Sequence, residues 1–143
     1  MTTQLHGPHE LRAPDSPDAA AIPLRLTIIT AGVSDPSTTR LLADRAAQQT
    51  IDLLREAGTT AVVSVIELGP LAVDIARAIV SGHLGDNVQQ AIERLGQADA
   101  IIASTPVYKA GISGLFKSFV DLIDNDLLIA TPVILAATAG TAR

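Results

Sequence analysis

Four short runs of aliphatic and β-branched residues are spaced along the chain, each separated from the next by a stretch with helical periodicity. They are Leu24 to Ala31 (LRLTIITA), Thr60 to Leu68 (TAVVSVIEL), Ala100 to Ser104 (AIIAS) and Pro132 to Thr138 (PVILAAT). Runs that are apolar without alternation suit strands buried on both faces, as in a parallel sheet covered by helices. Between the first two, Leu42, Ala43, Ala46, Ala47, Ile51 and Leu54 recur at three- and four-residue spacing, which predicts an amphipathic helix from about Ser37 to Ala57, stopped by Gly58. Residues 71 to 96 predict two helical stretches broken around Ser81 to Gly85. A last helix is expected from about Ser113 to Asp124, with Leu115, Phe116, Phe119, Val120 and Ile123 on one face. Strands that alternate with helices make the fold class α/β.

The 143 residues suit one domain, and at 48% hydrophobic and 17% charged the chain is too apolar for a disordered protein. It holds no uninterrupted apolar run of the roughly 18 residues that a membrane helix needs. Zero cysteines exclude disulfides, thiolate catalysis and cysteine-ligated metal, and point to a reducing compartment, so a cytoplasmic location is expected. A net charge of -5 opposes general nucleic-acid binding, which needs a basic face to displace counterions. Residues 1 to 23 hold four of the eight prolines and lack apolar periodicity; they are expected to form a disordered tail before a folded region of 24 to 143. They also lack the basic start and apolar core of a secretory signal.

In open α/β sheets ligands bind outside the carboxyl ends of the strands, so the loops leaving the strands carry the functional information. After the first strand, Ser34, Ser37, Thr38 and Thr39 cluster beside Gly32 just before a helix. Unpaired amides and partial positive charge at a helix N-terminus, with hydroxyls around them, make an anion site fitted to a phosphate monoester. The same residues also read as an ordinary cap, with Asp35 capping ahead of Pro36 or with Ser37 capping. Neither dinucleotide nor triphosphate glycine patterns are present. After the third strand, Thr105 to Gly114 (TPVYKAGISG) mixes a proline, an aromatic, a cation and two glycines, which suits a ligand loop in which Ser113 caps the next helix; it also suits a plain surface loop. His6, His9 and His83 show no metal-ligand spacing, and Ser104, Thr105 and Asp99 have no partnering histidine for hydrolysis. A receiver domain would need acidic residues where Ala31, Gly32, Ser104 and Thr105 stand.

The run Thr105-Pro106-Val107-Tyr108-Lys109-Ala110 with Ser113-Gly114 and Lys117, leading into Phe119-Val120-Asp121-Leu122-Ile123, resembles the NAD(P)H-dependent FMN reductases of the flavodoxin-like superfamily. The resemblance extends from about Leu24 to the last residue, and it is nearest to the branch that serves luciferase-like flavin monooxygenases, including the alkanesulfonate type. It implies a flavodoxin-like doubly wound parallel sheet that binds FMN, with NADPH or NADH as co-substrate. Ser34, Ser37, Thr38 and Thr39 would hold the FMN phosphate. Pro106, Val107, Tyr108 and Lys109 would line the isoalloxazine and ribityl part, and Thr138, Ala139, Gly140 and Thr141 would face the pyrimidine edge. Many relatives carry an arginine in the first loop where this chain has Val33, Ser34 and Asp35, which leaves neutralisation to helix amides, hydroxyls and Arg40. The resemblance also implies that no side chain need act as acid or base, because the flavin carries the chemistry. A flavin-dependent monooxygenase is the implied functional partner, and a homo-oligomer the implied assembly.

Flavodoxin-like sheets have five parallel strands in the order 2-1-3-4-5. Only four are found here, in the expected order 2-1-3-4, with the fifth strand and last helices missing. The fourth strand would then be an edge without charge or proline to blunt it. Alternatives to the reductase are an inactive truncated module that pairs its sheet with another chain, or a flavodoxin-type electron carrier.

Overall fold

A computed structural model describes residues 22 to 140. The expected tail falls outside this range except for Ile22 and Pro23, which lie in no regular element. The elements run β1 (Leu24–Thr30), α1 (Thr38–Glu56), β2 (Ala61–Glu67), α2 (Ala72–Ser81), α3 (Asp86–Gly96), β3 (Ala100–Tyr108), β4 (Gly111–Ile112), α4 (Gly114–Asp121) and β5 (Val133–Thr138). The parallel sheet has the order β2-β1-β3-β5, and the short β4 folds back antiparallel on the end of β3. This is the four-stranded flavodoxin-like sheet expected from the sequence, the fourth expected strand being β5.

Side chains alternate across the sheet and so define two cores. On one face Ile29, Ile66, Ile101 and Ala103 pack with Ile75 of α2, Val88, Ala91 and Leu95 of α3 and Phe119 of α4. On the other, Leu26, Ile28 and Ile102 meet Ala43 and Ala47 of α1. The small alanines let that helix approach the sheet closely. At the lower end of the sheet Asp99 accepts from the Arg25 backbone N–H at 2.7 Å and from its Nε at 3.2 Å, tying the start of β3 to β1.

Two expectations are corrected. The run TPVY continues β3 to Tyr108 rather than entering a loop, because Thr105 and Pro106 pair with Ala137 and Thr138, while Val107 and Tyr108 pair with Ile112 and Gly111. The final helix ends at Asp121 rather than Asp124; the C-cap Leu122 bonds back to Phe119 and Val120, and turns follow.

Candidate functional site

The upper ends of β1, β3 and β5 surround a cavity of about 350 Å³, within the size range of ligand sites. Its first wall is the β1–α1 loop. Here Ser37, rather than Asp35, caps α1, its Oγ accepting from the Arg40 N–H at 3.1 Å. Gly32 makes this approach possible: a Cβ on it would lie 1.9 Å from Ser37 Oγ, so any side chain would push the cap away. Gly32, Val33, Ser34, Thr38 and Thr39 line the cavity, whereas Ser37, whose oxygen accepts the capping bond, does not.

The second wall is the end of β3. Pro106, Val107 and Tyr108 line the cavity, with Tyr108 56% exposed. Buried Thr105 holds this strand to the start of α4, its Oγ1 accepting from the Ser113 N–H at 3.1 Å and donating to the Pro106 carbonyl at 2.9 Å. Ser113 in turn caps α4 through the Phe116 N–H. Between β3 and β4 the chain reverses through Lys109 (φ 51°) and Ala110 (φ 62°), both left-handed, as in a type I′ hairpin turn. That turn carries Lys109 out to solvent, away from the cavity wall.

Thr138, Ala139 and Gly140 close the third side, and the expected Thr141 lies outside the described residues. Thr39 and Thr138 are joined directly, Oγ1 to Oγ1, at 2.6 Å. Nine of the twelve expected binding residues thus border one cavity, and Gly32 and Val33, which were not among them, border it too. The glycine directly after the first strand was the sequence signal available for the first of these.

Arg40 is not turned into this space. Its Nε donates to Asp44 at 2.8 Å and its Nη1 to Glu67 at 2.6 Å, so the one guanidinium of the first turn is engaged elsewhere. The hydrogen bond to Asp44, with help from Glu67, raises its pKa despite partial burial. An anion in the cavity would therefore meet backbone amides and hydroxyls. A phosphate fits this donor set: the first turn of a 19-residue helix supplies free N–H groups, and Ser34, Thr38 and Thr39 supply hydroxyls. Thr30 Oγ1, at the upper end of β1, is buried with no partner among the described residues. Those residues hold no cluster of His, Asp or Glu suited to a metal ion, and no helix long and apolar enough to cross a membrane.

The fold and sequence have known counterparts. The chain is 34% identical over 121 residues to the NADH-dependent FMN reductase SfnE of Pseudomonas putida, covering 85% of this chain and 62% of that one. It is 37% identical over 123 residues to the NADH-dependent FMN reductase SfnF of Pseudomonas fluorescens, with the same coverage. An oxidoreductase from Corynebacterium diphtheriae superimposes with a TM-score of 0.80 at 37% identity, covering 85% of this chain and 66% of that one. The chain thus spans about 62% of the length of these curated relatives. Residues 24–143 match the family model described as NADPH-dependent FMN reductase, and the chain belongs to that family.

Proposed function

We propose that the chain carries the flavin site of an NAD(P)H-dependent FMN reductase. The observation that carries this reading is the single cavity into which the β1–α1 loop, the end of β3 and the end of β5 all open. In this reading the amides of the first turn of α1 and the hydroxyls of Ser34, Thr38 and Thr39 bind the phosphate. Pro106, Val107 and Tyr108 flank the ring and ribityl chain, while Lys109 on its hairpin stays in solvent outside the cavity lining. Backbone from Thr138 through Gly140 faces the pyrimidine edge, where donors favour the charge that grows on reduction.

When bound, FMN supplies the redox chemistry, accepting a hydride from a nicotinamide and passing on two electrons. The residues bind and orient; none is needed as acid or base. Reduced flavin is then delivered to a flavin-dependent monooxygenase in the cytoplasm, and the working assembly is a homo-oligomer. The resemblance of the TPVYKA run supports this part of the reading, and the likeness to NADH-dependent FMN reductases supports the reductase activity that precedes it.

The test is a visible titration of the chain with FMN, followed by NADH or NADPH without oxygen. Loss of flavin absorbance on adding the nicotinamide is expected. Flavin that neither binds nor bleaches would sink the reading. A second reading, a module that pairs its sheet with another polypeptide, is favoured by the exposure of β5, where Leu135 is 79% exposed. Flavin binding without any bleaching would favour the electron carrier or this module over the reductase.

A further inference from the structure

Thr39 is 3% exposed, sits in the first turn of α1 and lines the cavity; its hydroxyl touches Thr138 Oγ1, 99 positions along the chain at the end of β5. Each hydroxyl has one proton, so the pair has two arrangements. If Thr39 donates to Thr138, the cavity meets a Thr39 lone pair, which repels an anion. If Thr138 donates to Thr39, the Thr39 proton is free to point at the helix N-terminus, where an anion is drawn by the unpaired amides.

We infer that Thr138 is a positioning residue for phosphate recognition, donating to Thr39 Oγ1 so that Thr39 presents its proton to the phosphate of the flavin. This rests on the reading of the cavity as a flavin site and adds to it. In the sequence-based assignment Thr138 offers only backbone to the opposite end of the flavin; here its side chain works on the phosphate through Thr39. A donor that is itself accepting a hydrogen bond is polarised and donates more strongly, and here the accepting partner Thr39 is buried while Thr138 is half-buried.

The test compares FMN with riboflavin, which differ only in the phosphate. The 143-residue chain, its Thr138→Val and Thr138→Ala variants, and Thr138→Ser are titrated with each flavin by fluorescence quenching, with melting curves to check folding. The expected result is a loss of FMN affinity of roughly three- to tenfold in both Val and Ala, the scale of one weakened charged hydrogen bond, with riboflavin affinity little changed and Ser restoring the ratio. Equal weakening of both flavins would reduce the pair to a structural clasp and overturn the inference alone, as would unchanged FMN binding. Failure of the unaltered chain to bind FMN would overturn the flavin reading and this inference with it.

Discussion

Strands β3 and β5 lie side by side in parallel register and carry nearly the same kind of sequence, IIASTP against VILAAT, yet they live in different surroundings. Ile102 is fully buried between β1 and α1; its partner in the ladder, Ile134, is 48% exposed, and Leu135 beside Ala103 more so. The central strand has a strand on each side and helices above and below. The outer one has β3 alone as a strand neighbour among the described residues. An apolar run reports the capacity to be buried; neighbours decide whether that capacity is used. Besides its ladder, β5 meets α1, and the Thr39–Thr138 hydrogen bond joins the two at its upper end, where the cavity lies.

The sharpest way to break this contrast is to truncate both members of one register pair. Ile102→Ala should cost about 2–5 kcal/mol in urea unfolding, through lost burial and a cavity, and Ile134→Ala about 1 kcal/mol or less. Equal costs would show that β5 is covered in solution. Next, Gly32→Ala should cost about 1–3 kcal/mol, because the new methyl must displace the Ser37 cap, and with it the helix turn that carries Thr39 to β5. Flavin titration should show weakened FMN binding in the same variant. Ser37→Ala, which removes the cap without adding bulk, should cost about 1 kcal/mol by thermal melting.

The β3–β4 hairpin should respond in the opposite direction. Ala110→Gly relieves a left-handed residue and should raise stability by about 1 kcal/mol; a loss would mean that the turn is not held as described. The smallest effect belongs to the lower anchor of β3. The Arg25 side chain, then its backbone N–H, holds the Asp99 carboxyl below its ordinary value of 3.8. A depressed folded pKa stabilises the fold above the unfolded value, and this is lost as the pH falls below 3.8 through the folded value. Asp99→Asn should flatten the acid limb of stability over that window and leave neutral stability little altered, since the pair is exposed to solvent.

Much of this was legible because it follows from local rules. The alternation of apolar runs with helical periodicity gave every long element, Gly58 follows the expected end of α1 with a positive φ, and Ser113 caps α4 as its position suggested. The extension of β3 and the existence of β4 were not legible. A proline and a lysine-alanine turn resemble a loop, since hairpins of this kind usually announce themselves with Asn-Gly or Asp-Gly. The turn's left-handed Lys109 and Ala110 are held by the pairing on either side, which no short window reveals.

By itself the sequence determined the layered α/β fold and the clusters from which the site is built, because periodicity and helix-end chemistry act over a few residues. Tertiary structure decided how those clusters are used. It placed the Ser37 oxygen on a cap, engaged Arg40 with Asp44 and Glu67, carried Lys109 outward, and brought Thr39 against Thr138 across 99 positions. The physical reason is that a hydroxyl or guanidinium takes the partner that packing sets within reach, and packing joins residues that sequence distance keeps apart.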